Sequence, residues 1–563
     1  MTTTVPAKAP RPARNAKPNG QWKVDGKTPL NPNEEFKAAD GGLSVAQRII
    51  DDYSKTGFAS IPHDDLLGRM RWYGLYTQRD QTLEASRTGT LSDAEMSSEF
   101  LMMRVRIDGQ ALSTEALRVL GGISTDFARD TADITDRQNI QYHWIRVEDV
   151  PEIWDRLATV GLHTTEACGD TPRGFLASPV AGIAADELID PTPVVEDIRE
   201  RFIGDPELAN LPRKFKTAIT GHPSLDVVHE INDISLVGVE HPDLGVGYDL
   251  WVGGGLSTNP MLAKRVGVFV RQDEAAEVWH AVISIFRDYG YRRNRMRARL
   301  KFLVNDWGVE KFRQVLQEEY LGRELPDGPA PAPAKGNYDH VGVHEQKDGR
   351  VWVGAAPTVG RVSGTILNQI ADLAEAAGSG RVTLTPHQKL LVLDVDPDKA
   401  ETLVEGLSAI GLQARPSIFR RGTMACTGIE YCKLAFVETK GLAATLIDEL
   451  ETRLTDLDLG DTQLSINLNG CPNSCARIQV ADIGLKGQML KGEFGFQVHL
   501  GGGLADTKGE DGELGRTVRG LKVTAENLPD WTERIVRRYA EDRTEGESFA
   551  AWAHRAEDEV FTA

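Results

Sequence analysis

The pattern of apolar and polar positions along the chain predicts both strands and helices. The stretch Met102–Ile107 interleaves apolar residues with Arg104 and Arg106, and Leu390–Val395 is almost continuously apolar. Both are typical of β-strands. No apolar run approaches the roughly 18 residues that a membrane span needs, so we expect no membrane segment.

A helix is predicted over Ala275–Phe286. Apolar residues recur there at four-residue intervals from Val278 onward, with Asp273 as the expected N-cap and Gly290 as the stop. Strands that alternate with helices indicate α+β or α/β units.

The chain contains an internal duplication on either side of a proline- and alanine-rich linker, Leu325–Asn337. Five ordered segments recur at offsets between 248 and 250 residues: Thr135–Ile140 with Thr385–Leu390, Gly161–Leu162 with Gly411–Leu412, Arg173–Gly174 with Arg421–Gly422, Gly221–Pro223 with Gly470–Pro472, and Gly247–Leu256 with Gly495–Leu504. A repeat of this length is a duplicated α/β unit. We expect a ligand where the two copies meet, because domain junctions are favoured pocket sites.

Composition narrows the class of protein. The 563 residues are enough for about three to five domains, and 64 basic against 83 acidic side chains give a formal charge of −19. A charge of this sign argues against general nucleic-acid binding. Residues 1–45 have no secretory apolar region and are expected to be a disordered or surface-hugging extension, which places the protein in the cytoplasm. The five cysteines are then not expected to form disulfides.

Four cysteines belong to the second copy, in glycine- and proline-rich turns: Cys426, Cys432, Cys471 and Cys475. The matching positions of the first copy are Ser178, Ala184, His222 and about Leu225. Four thiolates suit either an iron–sulfur cluster or tetrahedral zinc, and the five- and three-residue gaps favour the cluster. A zinc-stabilised module, a simple electron carrier and four unliganded thiols are the alternatives at this point.

Cations distinguish the first copy. They lie on a predicted strand and in turns: Arg104, Arg106, Arg137, Arg173, Arg213, Lys214 and Lys216. Two counterparts in the second copy, Gly354 for Arg104 and His387 for Arg137, have lost the arginine. Any one of these cations could be a solvated surface residue, but the set indicates an anion site.

The motifs CTGIEYC, NGCPNSC, TDRQNIQ and LPRKFK resemble those of the ferredoxin-dependent sulfite and nitrite reductases, from about Leu66 to about His554. The resemblance implies an α+β, internally duplicated fold of three mixed α/β domains with pseudo-twofold symmetry around a central siroheme. The expected limits are an extension over 1–45, ferredoxin-like halves over 46–172 and 338–420, a linker over 325–337, and siroheme-binding α/β domains over 173–324 and 421–563, the last also holding a [4Fe–4S] cluster.

The resemblance also implies site residues. It assigns the cluster to Cys426, Cys432, Cys471 and Cys475, with Cys475 bridging to the siroheme iron. It assigns the carboxylate-rich macrocycle to Arg137, Asn139 and Gln141. It assigns the substrate side to Arg104, Arg173, Lys214 and Lys216, which would neutralise the oxyanion and supply protons.

Sulfite is the expected substrate, because Lys216 in PRKFK stands where nitrite-type members have asparagine. Nitrite is the alternative, and a simple iron–sulfur carrier is the non-enzyme alternative. The GGGL segments lack the full dinucleotide fingerprint, so the expected electron donor is a separate ferredoxin and the expected state a monomer. The basic run Arg292–Lys301 could dock ferredoxin, pair with its own helices or hold siroheme carboxylates.

Cys168 lies five residues before Arg173, near the inferred substrate side. Some members of the resembled family carry a cysteine–tyrosine thioether beside the siroheme. The expected partner is Tyr76, with Tyr73 as its rival, and a free buried cysteine is the alternative.

Overall fold

The computed structural model of the chain describes residues 19–457, 459, 462–508 and 512–562. Residues 19–163 carry the strands β1 Leu75–Arg79, β2 Ser97–Val105, β3 Leu112–Ser113, β4 Ala132–Ile134 and β5 Ile140–Ile145. Their helices are α1 Trp22–Asp25, α2 Pro32–Ala39, α3 Val45–Arg48, α4 Ser54–Thr56, α5 His63–Leu66, α6 Thr114–Phe127 and α7 Val150–Ala158. The predicted strand over Met102–Ile107 is confirmed as β2, which begins five residues earlier and ends at Val105.

The next segment, residues 164–325, contains the first α/β sheet. Its strands are β6 Leu176–Ala177, β7 Thr217–Thr220, β8 Ile234–His241, β9 Gly245–Val252 and β10 Lys264–Val270, and its helices are α8 Thr192–Phe202, α9 Ala275–Tyr289, α10 Leu300–Trp307 and α11 Val309–Val315. The predicted helix is confirmed as α9, but the predicted N-cap is wrong. A 3₁₀ turn over Gln272–Glu274 leads into α9, and the Asp273 carboxylate accepts a hydrogen bond from Arg271 instead.

The second copy repeats this order. Residues 338–415 form β11 Gly342–Glu345, β12 Val351–Pro357, β13 Arg361–Val362, β14 Arg381–Leu384, β15 Leu390–Val395 and β16 Leu412–Gln413, with α12 Gly364–Ala376 and α13 Ala400–Ala409. The remaining residues form β17 Thr423–Ala425, β18 Ile466–Asn469, β19 Ile483–Leu490, β20 Glu493–Leu500 and β21 Lys522–Thr524, with α14 Ile418–Gly422, α15 Lys440–Arg453, α16 Ala505–Lys508, α17 Leu528–Asp542, α18 Phe549–Arg555 and α19 Asp558–Thr562. The strand predicted over Leu390–Val395 is confirmed as β15.

The two α/β sheets have the same topology. In the first, β6, β7 and β8 run parallel and β9 and β10 follow antiparallel; in the second, β17, β18 and β19 run parallel before antiparallel β20 and β21. The turn after the second parallel strand has left-handed residues at Leu225 and Val228 in one copy and at Ser474 and Arg477 in the other. The predicted duplication is therefore visible in the backbone.

The two remaining sheets exchange an edge strand. The first is ordered β1-β2-β5-β4-β13 and the second β11-β12-β15-β14-β3. Arg361 and Val362 of β13 pair with β4 of the first copy, and Leu112 and Ser113 of β3 pair with β14 of the second. One apolar core consequently spans both copies, from Val45 to Leu157 and from Val351 to Ala414. Each α/β sheet has a separate core with its own helices.

Residues 19–44 pack onto the first α/β segment. The indole of Trp22 lies 3.5 Å from the Arg292 guanidinium, which donates to the buried Glu34 carboxylate at 2.8 Å. Lys37 is buried and reaches Asp170 at 3.1 Å. These contacts go beyond the surface cover expected of the extension, whose first 18 residues lie outside the described part. No helix among the described residues is long and apolar enough to cross a membrane.

Candidate active site

The four cysteines of the second copy converge at the carboxyl ends of two parallel strands. Cys426 follows β17, and its backbone N–H donates to Leu468 of β18 at 3.0 Å. The Gly470 N–H donates to the Cys426 sulfur at 3.2 Å. Cys471 and Cys475 occupy the turn after β18, where a left-handed Ser474 directs the chain back toward Cys426. The strand ends and the tight turns thus bring two distant motifs together.

These thiols share one electrostatic environment. Burial and the neighbouring Cys475 raise the pKa of Cys426 to about 12, and burial raises the pKa of Cys432 to about 11. Burial and the other three cysteines raise the pKa of Cys471 as well. Four thiolates that raise one another's pKa require a cationic centre among them, and thiolates are the ligands that iron–sulfur clusters use.

The spacing of the sulfurs is wide. Among the described residues, no three of these sulfur atoms lie within 4.8 Å of one another. Four thiolates on one zinc ion would be about 3.8 Å apart, given a Zn–S bond of about 2.3 Å. The spacing fits a cluster with several metal ions between the sulfurs.

The cations of the first copy lie close to one another and, in part, to Cys475. Arg104, Arg137, Arg173, Lys214 and Lys216 are all half-buried, and within the described part of the chain none has a carboxylate oxygen within 4.0 Å. Cys475 contributes to the electrostatic environment of both Arg104 and Lys214. The structure therefore brings together the predicted substrate-side cations and the predicted bridging thiolate.

Burial and mutual repulsion lower the pKa of the two lysines in this set. Burial and the Arg137 charge lower the pKa of Lys216 to about 7. Burial, Lys216, Arg299 and Arg173 lower the pKa of Lys214 well below its ordinary value. Depressed lysine pKa values indicate positive charges that the protein alone does not neutralise. An anionic ligand would supply the missing charge.

Arg137 gives the same indication. Its guanidinium donates to the side-chain oxygen of Asn232 at 2.9 Å and to the carbonyl of Gly174 at 2.8 Å. Its buried Nε has no hydrogen-bond partner, and burial, together with Arg173 and Arg477, lowers its pKa to about 10. A buried donor without a partner and a set of unpaired cations suit a carboxylate-rich macrocycle such as siroheme.

Gln141 connects the substrate side to the cysteine loop. Its side-chain oxygen accepts from Arg104 at 2.8 Å, and its amide donates to the hydroxyl of Thr427 at 3.2 Å. Thr427 is the residue after Cys426. The amide nitrogen also lies 3.2 Å from His143, whose ring stacks on Tyr431. Gln141 thus fixes the orientation of Arg104 relative to the cluster loop.

Asn139 differs from the expectation for a cofactor ligand. Its buried side chain accepts from the Ile107 N–H at 3.1 Å, and its own N–H donates to Thr135 at 3.1 Å. These bonds hold the turn that carries Arg137. The structure therefore gives Asn139 a supporting position behind the arginine.

Cys168 and Tyr76 are neighbours in the structure. Arg104 donates to the Cys168 sulfur, and burial and the Cys168 charge raise the pKa of Tyr76. The rival Tyr73 lies elsewhere, donating its hydroxyl to the Leu43 carbonyl at 2.9 Å and packing on Trp154. A cross-link between Tyr76 and Cys168 stays a prediction, with Tyr73 removed as partner.

The basic run Arg292–Lys301 pairs largely with its own fold. Arg292 binds Glu34, Arg295 binds Asp170 at 2.6 Å and Arg299 binds Asp233 at 2.8 Å. Of the three interpretations offered for this run, the contacts support internal ion pairing. Arg213 has a similar supporting position, donating to the Arg295 carbonyl at 3.0 Å.

Arg477 is a site residue that sequence reasoning missed. It is buried, donates to the Asp136 carbonyl at 3.2 Å and contributes to the lowered pKa of Arg137. Its place two residues after Cys475 was a usable signal. Nothing in the first copy points to it, because the equivalent position there is Val228, which carries no charge.

Comparisons with known proteins identify the family to which the chain is similar. The pattern of the "Nitrite and sulphite reductase 4Fe-4S domain" matches residues 168–325 and 418–562, and that of the "Nitrite/Sulfite reductase ferredoxin-like half domain" matches 94–160 and 344–410. The chain is 57% identical to "Sulfite reductase [ferredoxin] 1" of Mycolicibacterium paratuberculosis, over 99% of this chain and 100% of that protein. It is 34% identical to the "Assimilatory ferredoxin-dependent nitrite reductase" of Haloferax mediterranei, over 92% and 90%. The solved structure of the Mycobacterium tuberculosis NirA protein superposes with a TM-score of 0.94 at 56% identity, covering 97% of this chain and 100% of that one.

Proposed function

Because the chain belongs to the nitrite and sulphite reductase family, we propose that it is a ferredoxin-dependent sulfite reductase, which reduces sulfite to sulfide with six electrons. The observation that supports this most is a set of five half-buried cations for which the described residues provide no carboxylate within 4.0 Å, two of them interacting with Cys475. Such a set matches a doubly charged oxyanion together with an anionic macrocycle.

Siroheme and a [4Fe–4S] cluster supply the electron transfer, since side chains offer no six-electron redox chemistry. In our assignment Cys426, Cys432, Cys471 and Cys475 would hold the cluster, and Cys475 would also be the residue through which the cluster is coupled to siroheme. Arg137 and Arg477 neutralise macrocycle carboxylates. Gln141 holds Arg104 in place and Asn139 holds the turn behind Arg137.

Arg104, Arg173, Lys214 and Lys216 bind the oxyanion, and the two lysines deliver protons as its oxygen atoms leave as water. A lysine whose pKa lies near neutrality is a competent proton donor at physiological pH. The depressed pKa of Lys216 belongs to the cation-crowded site, so bound anions raise it and keep the ammonium protonated until a proton is needed. Arg173 is oriented for this role by its two hydrogen bonds to the Gly169 carbonyl, at 2.9 and 2.7 Å.

Lys216 is the residue on which we base the preference for sulfite. A site with one more cation stabilises a doubly charged anion more than a singly charged one. Nitrite fits the same cavity and would be a slower second substrate. The nitrite reductase of Haloferax mediterranei shares much less of the sequence than the sulfite reductase of Mycolicibacterium paratuberculosis does.

We further propose a monomer in the cytoplasm, with reduced ferredoxin as donor. All five cysteines are free, which suits a reducing compartment. One core spans both copies of the duplication, so a single chain contains both halves of the fold.

An absorption spectrum of purified protein, with iron and labile-sulfide assays, tests the cofactor assignment. Siroheme bands together with labile sulfide are expected. A brown protein without a Soret band would indicate an electron carrier, and a colourless zinc protein a binding module. Steady-state turnover of sulfite and nitrite with reduced ferredoxin then tests the substrate, and faster nitrite turnover at equal concentration would contradict the sulfite assignment.

A further inference from the structure

A buried cluster of metal-ligand side chains lies where the first copy has the counterpart of the cysteine turn, with one member contributed by the start of the second copy. One ring nitrogen of His222, one carboxylate oxygen of Asp226 and one ring nitrogen of His340 all lie within 4.8 Å of one another. The three residues are 6%, 0% and 2% exposed. Two neutral imidazoles and a carboxylate are a ligand set that zinc uses in proteins.

The duplication explains where this cluster sits. The left-handed residues Leu225 and Ser474 fix the register of the two turns at an offset of 249. His222 then corresponds to Cys471, and Asp226 corresponds to Cys475. This corrects the earlier match of Cys475 to about Leu225. The strands give the same result, since β6 precedes Ser178 as β17 precedes Cys426.

The turn of the first copy therefore carries nitrogen and oxygen donors where the turn of the second copy carries sulfur. Iron–sulfur clusters are held by thiolates, whereas imidazole and carboxylate suit a single borderline divalent ion. The third ligand comes from outside the turn, because His340 belongs to the connection that precedes β11. Its Nε2 lies 2.8 Å from the Asp226 carboxylate, 114 residues away in sequence.

A second layer of hydrogen bonds orients the ligand atoms. The hydroxyls of Ser178 and Thr220 donate to the two carboxylate oxygens of Asp226, each at 2.7 Å. Nδ1 of His222 lies 2.8 Å from the Ser224 hydroxyl, and its Nε2 lies 3.3 Å from Asp186 at the surface. Metal sites are commonly supported in this way, and the support fixes ring orientation and carboxylate geometry.

We propose that His222, Asp226 and His340 bind one divalent transition-metal ion of the zinc class, with water as a further ligand. The ion has a structural role, since its ligands join the turn after β7 to the connection between the two copies. It is independent of siroheme and of the [4Fe–4S] cluster, so it does not rest on the proposed reductase activity.

The test uses holoenzyme that retains its full siroheme and cluster absorption, so that zinc does not occupy the cysteines. Zinc content is measured after dialysis against ZnCl₂ and then against metal-free buffer. One zinc per chain is expected in the parent protein. His340→Gln and Asp226→Asn are expected to retain about one tenth of that zinc or less.

His344→Gln is the matched control, because His344 lies on β11 four residues from His340 and stacks on Trp352 outside the ligand set. It should retain zinc like the parent. Zinc should also raise the thermal transition of the parent and of His344→Gln but not of the two ligand variants.

Absence of stoichiometric zinc from fully loaded parent protein, with no thermal shift, would overturn the proposal and leave a hydrogen-bond network. Equal zinc in parent and ligand variants would also overturn it. If a ligand variant fails to fold, the zinc content and thermal shift of the parent still decide the outcome. Absence of sulfite turnover in parent protein that binds zinc would count against the reductase assignment and not against the metal site.

Discussion

Asp170 is a buried carboxylate in the loop between Cys168 and Arg173, and two cations bind it. Arg295 donates to both of its oxygens, at 2.6 and 2.7 Å, and Lys37 donates at 3.1 Å. The side chains of Asp170 and Lys37 are 5% and 1% exposed. Replacing Asp170 by asparagine keeps the shape but leaves two cations without their shared anion.

Removing one partner of a buried ion pair typically costs about 3–5 kcal/mol, because the remaining charge stays desolvated. Asparagine retains one acceptor, so we expect a loss near the lower limit, about 3 kcal/mol. For the unit formed by residues 164–325 this corresponds to a transition about 6–12 °C lower. Calorimetry of the holoenzyme, with siroheme absorption as a second signal, measures the change.

Asp372→Asn is the control, because Asp372 pairs with Arg118 at 2.6 Å but is 66% exposed. An exposed pair of this kind contributes less than about 1 kcal/mol. Equal shifts for Asp170→Asn and Asp372→Asn would refute the reasoning, since burial would then have no effect.

The difference in stability between the parent and Asp170→Asn should also depend on pH. Burial opposes ionisation of Asp170, but Arg295 and Lys37 outweigh it and hold its pKa well below the ordinary value of 3.8. A depressed carboxyl pKa contributes stability above the unfolded-state pKa, which is lost as the pH falls toward the folded-state pKa. The gap between parent and Asp170→Asn should be full at pH 7 and should narrow below about pH 4.

Three further predictions concern the site. Lys216→Asn should lower kcat/KM for sulfite relative to nitrite by at least about 10-fold, because one unit of charge at about 4 Å is worth up to about 4 kcal/mol and the bound anion keeps the ammonium charged. An unchanged ratio of the two kcat/KM values would contradict the electrostatic basis of the preference. Cys475→Ser should lower sulfite turnover with reduced ferredoxin by more than about 100-fold and disturb the siroheme spectrum. As the control, Cys168→Ser should keep the iron and labile sulfide of the parent. Full turnover of Cys475→Ser would contradict the assignment of Cys475 as the residue that couples the cluster to siroheme. Peptide mass spectrometry should find a Tyr76–Cys168 peptide pair lighter by two hydrogens, absent from Tyr76→Phe; unlinked peptides in fully active parent protein would end the cross-link hypothesis.

Local pattern was sufficient for much of the fold. The strands β2 and β15 and the helix α9 followed from apolar spacing alone, because β2 buries one face against a core while β15 and α9 are buried almost throughout. The N-cap at Asp273 could not be found in this way, because the 3₁₀ turn before α9 depends on how β10 delivers the chain. Local rules describe the helix interior better than its entry.

The candidate site divides in the same manner. The cysteines were visible from sequence because few residue types bind metal and their spacing is constrained. The position of Asn139 behind Arg137, and the pairing of Arg295 with Asp170, required tertiary contacts between segments far apart in the chain. The match of Asp226 to Cys475 follows from the 249-residue offset between Gly221–Pro223 and Gly470–Pro472, and the left-handed residues Leu225 and Ser474 support it.

The exchanged edge strands impose an order on synthesis. Strand β4 is complete once residue 134 has been made, but its neighbour β13 lies more than 220 residues later. Strand β3 waits in the same way for β14. Until then both edges carry unpaired N–H and C=O groups, which are templates for pairing with another chain. On the ribosome, β4 and β3 therefore lack these partner strands until the second copy has been made. Chains released early would expose the unpaired backbone groups of both strands.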